Sequence, residues 1–184
     1  MNDQKIAVLF QYYRNFGFEH TNEEIATALN ISKKTFFNRY QTKEMAIMIA
    51  IQFWYRSVKE RVHNQCLHCN FPLEELLIQT HNIQYIYHHE KVFYRWEMEH
   101  GEFTSSAAPF KELICNSIQK GIQHYHFQED IKIEHYADYL LYNISTYFLQ
   151  HEHKELTLKY LLDPLLTERG KTLWEEMDKS IWLH

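Results

Sequence analysis

The chain has 184 residues, of which 45% are hydrophobic, and this is enough to build one or two small domains with a buried core. Its net charge of −5 excludes a protein that binds nucleic acid over much of its surface, and three cysteines, an odd number, argue against a disulfide framework. No apolar run approaches the roughly 20 residues that span a bilayer, and the N-terminal residues lack a signal-peptide pattern, so we expect a cytoplasmic protein without a membrane partner.

The composition also favours helices over strands. The chain contains four glycines and three prolines, so few turns are obligatory, and no segment alternates apolar and polar residues as a half-buried strand does. Apolar residues instead recur at the i, i+3 and i+4 spacing of a helix. The sequence therefore predicts an all-α fold of about nine or ten helices.

The N-terminal residues predict a module of short helices. Apolar residues at helical spacing indicate a first helix over residues 4–16, and Gly17 is typical of a helix end. Thr21 and Glu24 have the spacing of a capping box, in which each side chain accepts a hydrogen bond from the backbone N–H of the other residue. We therefore expect a second helix to begin just after Thr21.

A third helix follows after a very short connection. Asn30 tolerates a left-handed backbone and Ser32 is a favoured N-cap residue, so residues 30–32 predict a tight turn into a two-turn helix over residues 33–40. Thr42 stands in the N-cap position of a long fourth helix. Two short helices joined in this way, the second slim and polar at its N-terminal end, are typical of a helix-turn-helix that enters the major groove of DNA.

The rest of the chain predicts a helical body. Apolar stripes indicate helices over residues 43–64, 72–88, 90–100, 110–122, 133–148, 156–162 and 168–179. Pro72 suits the first position of its helix, and Thr167 suits the N-cap of the last one. Residues 101–109, with the sequence GEFTSSAAP, predict the clearest loop.

Positive charge is concentrated near the N-terminus. Residues 1–50 contain six basic and five acidic side chains, which leaves a net charge of −6 for residues 51–184. Four of the six basic residues lie between positions 33 and 43. A DNA-binding surface on this chain must therefore be small and local, with an acidic body behind it.

The third helix and the start of the fourth carry the side chains that suit DNA. Lysine reaches guanine or phosphate, asparagine reads adenine through two hydrogen bonds, and an aromatic ring contacts a thymine methyl group. Side chains of these three kinds would lie on the outer face of the third helix, and they are Lys33, Lys34, Phe37 and Asn38. Thr42 and Lys43 stand at the N-terminus of the fourth helix, where backbone amides, the helix dipole and an ammonium group together favour a phosphate.

Residues 16–47, FGFEHTNEEIATALNISKKTFFNRYQTKEMAI, resemble the N-terminal signature of TetR-family transcriptional regulators. The match covers about the first quarter of the chain. The matching positions follow the family's order and spacing and are Gly17-Phe18, Thr21, Ile25-Ala26, Ile31-Ser32-Lys33, Thr35-Phe36-Phe37, Tyr40 and Lys43-Glu44.

The resemblance implies a three-helix, DNA-binding head at residues 1–46 and a helical-bundle body at residues 47–184 that binds a ligand and dimerises. It implies a homodimer that binds a palindromic double-stranded DNA operator, responds to an unknown small-molecule effector, acts in most members as a repressor, and needs no cofactor or metal. It places Thr35 and Lys43 at positions that commonly contact the DNA backbone. The complete set of predicted DNA-binding residues is Lys33, Lys34, Thr35, Phe37, Asn38, Arg39, Thr42 and Lys43.

The head also departs from the family pattern. Glu23 and Glu24 stand where a basic residue is common, and this weakens the electrostatic attraction to phosphate. Lys34 replaces a glycine or small residue, and the usual aromatic pair of the recognition helix is reduced to Phe37 followed by Asn38. These differences alter the expected specificity and leave the predicted fold unchanged.

Aromatic and histidine side chains on the body helices are candidate ligand contacts, because a mixed apolar and polar lining suits a small aromatic or lipid-like effector. An aromatic core with ordinary surface histidines would produce the same pattern. The candidates are Tyr85, His88, Tyr94, Trp96, His124, Tyr139 and Tyr142.

Other interpretations of these motifs remain open. Residues 21–44 could form a packing module that never touches DNA. The sequence HNQCLHC offers His63, Cys66, His68 and Cys69 to Zn²⁺ or Cu(I), although a single Cys-x-x-Cys equally describes reduced cysteines at a helix end.

Glu-x-x-His occurs twice, at Glu60/His63 and Glu97/His100, and two such motifs on facing helices form part of di-iron sites. The sequence has no glycine-rich phosphate loop, nucleophile elbow or His-Glu-x-x-His motif, so we do not predict an enzyme. The alternative to a regulator is a metal-dependent helical protein, a sensor or a carboxylate/His enzyme, with a vestigial DNA-binding head.

Overall fold

The computed structural model of the protein describes residues 3–100, 103–148 and 154–177. In these residues the chain is all-α, as predicted, and the single β-bridge pairs Phe127 with Leu166. None of the helices in the described part is long and apolar enough to cross a membrane. The ten described α-helices are α1 (Asp3–Phe16), α2 (Asn22–Ala28), α3 (Lys33–Tyr40), α4 (Lys43–Cys66), α5 (Pro72–His89), α6 (Lys91–His100), α7 (Phe103–Gln123), α8 (Ile133–Phe148), α9 (Lys154–Leu162) and α10 (Glu168–Glu176).

The chain divides into two compact units. The first unit comprises residues 1–58 and 90–106, and the second comprises residues 59–89 and 107–184. Helix α4 begins in the first unit and ends in the second. The predicted boundary between residues 46 and 47 divides the chain by function, and it stays a prediction.

The core of the first unit is aromatic. The ring of Phe10 on α1 stacks on Phe93 of α6 at 4.9 Å between centroids and on Trp54 of α4 at 5.8 Å. Stacked pairs of this kind add about 0.5–1.5 kcal/mol each beyond the area that they bury. Apolar residues on one stripe of α1 therefore hold this helix against α4 and α6, as the spacing of its sequence indicates.

One ion pair lies at the edge of this core. The Arg14 guanidinium is 3.0 Å from the Glu90 carboxylate, and Glu90 is 5% exposed. Burial raises the pKa of Glu90, and Arg14 opposes that shift. The arginine therefore keeps a nearly buried carboxylate from being left without a countercharge.

The second unit is built around the packing of α5 against α8, with α7, α9 and α10 completing its core. Close backbone approach explains two of its glycines. A Cβ atom at Gly121 would lie 2.0 Å from the Phe127 ring, and one at Gly170 would lie 2.1 Å from the His126 carbonyl oxygen. The Phe127 ring and the His126 backbone therefore pack directly against the backbone of α7 and α10, where a larger residue than glycine would not fit.

The prediction of a loop over residues 101–109 is wrong from residue 103 onward, where the chain is already in α7, and residues 101 and 102 lie outside the described residues. Pro109 lies inside this helix, and its missing N–H and ring sterics cost about 3 kcal/mol. Burial of one apolar stripe offsets that cost, because each fully buried large side chain contributes roughly 1.5–3 kcal/mol. The buried residues that follow the proline on this stripe are Phe110, Ile114 and Ile118.

Candidate nucleic-acid interface

Helices α2 and α3 form a helix-turn-helix whose local signals are those predicted. The Thr21 N–H donates to Glu24 Oε2 at 2.7 Å, and the Glu24 N–H donates to Thr21 Oγ1 at 3.3 Å, which completes the capping box. Asn30 has φ of 51° in the turn, and the Ile31 N–H donates to the Ala26 carbonyl at 3.0 Å. The chain therefore leaves α2 and enters α3 in four residues.

A small core beneath α2 and α3 sets the direction of the second helix. Phe36 is fully buried, and its ring lies 4.9 Å from the ring of Tyr40, which is also buried. These two side chains lie four residues apart, so they occupy one face of α3. On α2 the facing side chains are small or aliphatic, and the buried ones are Ile25, Ala26 and the adjoining Leu29.

The opposite face of α3 lies in solvent. Because Phe36 and Tyr40 face inward, the residues between and before them are directed outward, and Phe37 is 41% exposed although it is apolar. Thr35 is half-buried, and its hydroxyl lies 2.8 Å from the hydroxyl of the N-cap Ser32. The exposed members of the predicted set on this helix are Lys33, Lys34, Phe37, Asn38 and Arg39.

The start of α4 lies just beyond α3 in the chain. Thr42 Oγ1 accepts a hydrogen bond from the Met45 N–H at 3.1 Å, so Thr42 is the N-cap residue that the sequence predicts. Thr42 is exposed and Lys43 is half-buried. The Glu44 carboxylate is hydrogen-bonded to its own backbone N–H and to the Thr42 side chain, and these contacts lower its pKa. A hydroxyl, a helix N-terminus and an ammonium group therefore occur together there, beside a carboxylate that already occupies some of the donors that would suit a phosphate oxygen.

The basic side chains of this surface differ in their partners. The Lys33 ammonium donates to the carboxylate of Glu23 on α2, and both side chains are more than half exposed. In the described residues, no ion pair involves Lys34, Arg39 or Lys43. Three cations are therefore available to an anionic partner directly, whereas Lys33 must first leave Glu23.

The structure distributes the predicted ligand contacts over both units. Trp96 is in the first unit, where its ring stacks on His100 at 4.2 Å. The other described candidates are in the second unit, where Tyr85, Tyr139 and Tyr142 are exposed and His124 lies at the surface beyond α7. The side chains of His88 and Tyr94 lie outside the described residues. The assignment of these seven residues to a ligand stays a prediction.

The cysteines of the HNQCLHC segment are protonated thiols at neutral pH. Burial raises the pKa of Cys66 to about 11 and that of Cys69 to about 12, with the Glu75 carboxylate adding to the Cys66 shift. Both cysteines and His63 line a cavity of about 580 Å³ in the second unit, and His68 is not part of that lining. Throughout the described residues, no group of three or more His, Cys, Asp or Glu side chains is arranged to hold a metal ion.

The two Glu-x-x-His motifs belong to different units. In the first unit, Glu97 is buried and accepts a hydrogen bond from the Tyr55 hydroxyl at 3.0 Å, and His100 Nδ1 lies 2.8 Å from the Trp96 carbonyl oxygen. In the second unit, Glu60 and His63 are both exposed. The first motif is thus engaged in contacts within its own unit.

The fold and this surface define a class of protein, an all-α protein with an N-terminal helix-turn-helix. Neither a protein-family model nor a curated protein sequence matches the chain. Solved structures do match over nearly the whole chain, and several of them are regulators of the TetR family.

Three of these solved structures illustrate the likeness. Thermus thermophilus FadR, a TetR-family transcriptional repressor in complex with lauroyl-CoA, is 20% identical over 91% of this chain and 96% of its own, with a TM-score of 0.65. The transcriptional regulator FadR from Bacillus subtilis, in complex with stearoyl-CoA, is 12% identical over 91% and 97% of the two chains, with a TM-score of 0.68. The TetR-family protein CprB from S. coelicolor A3(2) is 15% identical over 95% and 94%, with a TM-score of 0.62. This chain therefore has the fold of TetR-family transcriptional regulators.

Proposed function

We propose that this protein is a ligand-responsive transcriptional regulator, and specifically a repressor, that binds a palindromic DNA operator as a homodimer. The observation that carries the proposal is the outer face of α3, which presents Lys34, Phe37 and Asn38 to solvent from a helix anchored by Phe36 and Tyr40. Such a helix can enter the major groove with its polar side chains against base edges. Residues 1–46 are then the DNA-binding domain, and residues 47–184 bind the effector and the second subunit.

Two features of the body support the dimer and the effector. Tyr142 on α8 and Tyr160 on α9 are 61% and 68% exposed, and aromatic side chains are enriched at protein interfaces. Two solved structures of the same fold are complexes with an acyl-CoA, so the fold accommodates small-molecule ligands. In a two-fold dimer, the recognition helices would meet half-sites about 34 Å apart, and an effector would act by favouring a different separation of the two heads.

The experiment that tests this proposal is retention of fragments of the source genome by the purified full-length protein. We expect a small number of fragments with a shared inverted repeat to be retained at about 0.15 M salt, because specific binding exceeds nonspecific binding by typically 10³ or more. Sedimentation of the complex should give two chains per site. Retention that is uniform across the genome, or absent at low salt as well, would contradict the proposal.

The Glu23–Lys33 ion pair gives a second expectation. Glu23→Gln should tighten operator binding roughly three- to tenfold at low salt, because it frees Lys33 and removes one negative charge beside the phosphates. The slope of the logarithm of the binding constant against the logarithm of the salt concentration should become steeper by roughly 0.9, which is the value for one additional phosphate contact. The measurement is a filter-binding titration at several salt concentrations.

Glu19→Gln is the matched control for this change. Glu19 is exposed and makes no ion pair within the described residues, so the substitution removes the same charge without releasing a lysine. We expect it to tighten binding less than Glu23→Gln does, because it removes one negative charge but releases no lysine. Equal effects of the two substitutions would show that Lys33 gains no DNA contact when it is released.

A further inference from the structure

The segment that follows α7 is hydrogen-bonded to the start of α10 within the second unit. The Thr167 N–H donates to the His126 carbonyl oxygen at 3.0 Å, and the Gln128 N–H donates to the Leu165 carbonyl oxygen at 2.9 Å. These bonds flank the Phe127–Leu166 bridge, so the two segments are held together over several consecutive residues. We call them the α7–α10 joint, which comprises residues 125–128 and 165–170.

The side chain of His126 is buried inside this joint. The residue is 3% exposed, and its Nδ1 atom is buried and makes no hydrogen bond within the described residues. The nearest aromatic neighbour is Phe71, on the loop between α4 and α5, whose ring centre lies 6.0 Å from the imidazole. Neither water nor, in the described part of the chain, a polar group therefore solvates this nitrogen.

The charged groups that act on the imidazole are cationic. Burial lowers the pKa of His126, and Arg169 of α10 and His124 just after α7 lower it further. From the loop before α5 the ring faces the uncharged Phe71, and among the described residues no carboxylate counters the two basic groups. The His126 backbone lies between the C-terminal end of α7 and the first turn of α10, whose dipoles have opposite signs and offset each other.

A proton added to this imidazole would place a positive charge where nothing solvates it. Burying such a charge is unfavourable, so the closed joint binds the proton more weakly than an open joint, in which the histidine has its ordinary pKa of about 6.5. The His126 contribution to the stability of the closed joint is therefore fully present above about pH 6.5. It is lost progressively as the pH falls from there toward the depressed pKa of the closed form.

We propose that the α7–α10 joint is an acid-sensitive switch, which is closed while His126 is neutral and opens when His126 takes up a proton. The Thr167 hydroxyl, which caps α10, donates to the Tyr125 carbonyl oxygen at 2.7 Å, so opening the joint also removes a contact of this cap. The first turn of α10 then separates from the end of α7, whereas the packing of α5 on α8 is not involved. This inference does not depend on DNA binding, which is assigned to the first unit.

Hydrogen exchange of the full-length protein, measured by NMR between about pH 7.5 and pH 5, tests the switch. After correction for the intrinsic exchange rate, the opening constant of the Thr167 and Gln128 amides should rise as the pH falls below about 6.5, by up to about tenfold per pH unit for one proton. The His126 ring signals should keep the shifts of the neutral form until the joint opens. A His126 ring that becomes protonated while both amides stay fully protected would overturn the proposal, as would protection that is independent of pH.

Variants assign the pH dependence to this histidine, since each is compared with the unmodified protein in which all other groups titrate alike. His126→Phe keeps a ring without an ionisable nitrogen and should remove the increase in opening at acid pH. Arg169→Gln should reduce the increase, because the closed joint then binds the proton less unfavourably. His135→Asn, at an exposed histidine of α8 outside the joint, is the matched control and should leave the exchange unchanged.

Circular dichroism at about pH 7.5 establishes that each variant is folded. If His126→Phe does not fold, Arg169→Gln is the deciding variant, because Arg169 is exposed and its replacement does not disturb the core. Acid-induced opening that persists unchanged in a folded His126→Phe protein, or that is as large in Arg169→Gln as in the unmodified protein, would contradict the role of His126.

Discussion

Replacing Phe36 with alanine is expected to lower the free energy of unfolding by about 3–5 kcal/mol and to abolish operator binding. The side chain is fully buried in the core under α3, and its ring packs on Tyr40. Its removal leaves a cavity beneath α3, so α3 loses the contacts that orient it. Native proteins are stable by only about 5–15 kcal/mol, so this is a large fraction of the total.

The neighbouring Phe37 provides a matched control, since Phe37→Ala is the same chemical change one residue along the helix. Phe37 is 41% exposed, and its truncation should alter the free energy of unfolding by less than about 1 kcal/mol. It should nevertheless weaken operator binding, because the ring lies on the face proposed to meet the bases. Chemical denaturation and gel-shift titration of both variants measure the two effects. Equal destabilisation by both substitutions would contradict the orientation of α3 described above.

Asn38→Ala and Lys34→Ala are each expected to weaken specific operator binding by about 5- to 150-fold, which corresponds to roughly 1–3 kcal/mol per base contact. Both side chains are exposed on α3, so neither substitution should change the melting temperature appreciably. Asn38→Ala should relax the preference at one base pair, because a bidentate contact with adenine is lost. Lys34→Ala should reduce the salt dependence if it contacts phosphate, and relax base preference if it contacts guanine.

A competition gel-shift with single-base variants of the operator measures these effects. Asn64→Ala is the control, because Asn64 is an exposed asparagine on α4 in the second unit and has no proposed DNA contact. It should bind like the unmodified protein. If both α3 variants bind every operator sequence as tightly as the control does, α3 is not the reading helix.

The helix-turn-helix was predictable because its signals are local. The Thr21–Glu24 capping box, the left-handed Asn30 and the caps at Ser32 and Thr42 each depend on residues within about three positions of one another, and the structure confirms all of them. The outer face of α3 was equally readable, because the predicted residues Lys33, Lys34, Phe37 and Asn38 are all exposed there. Local hydrogen bonds and periodicity do not depend on the rest of the fold.

The start of α7 was not predictable in the same way. Residues 103–109 contain a proline and small polar residues, and these signals favour a loop when they are considered alone. The helix forms because its continuation buries Phe110, Ile114 and Ile118 in the second unit. The free energy gained by burying these side chains outweighs the unfavourable local helix propensity of the preceding residues. Whether these side chains are buried depends on the residues that pack around them, which lie far away in the sequence.

The cavity was missed because its parts are far apart in the chain. Gln79 and Ser117 are separated by 38 positions, and Glu75 and Lys120 by 45 positions. The predicted ligand contacts are aromatic and histidine residues, whereas a glutamine, a serine and an ion pair carry no comparable signal in the sequence. The Glu23–Lys33 contact, which spans 10 positions and two helices, was likewise invisible although both residues had been considered separately.

The sequence by itself determined the all-α character, the caps and turn of the N-terminal module, and the side chains that α3 turns outward, because each follows from interactions between residues a few positions apart. Tertiary structure alone decided the length of α7, the restraint of Lys33 by Glu23, and the hydrogen bonds that join Glu75 and Gln79 of α5 to Ser117 and Lys120 of α7. These features depend on which distant helices meet, and the free energy of that packing is shared among residues that no short sequence pattern connects.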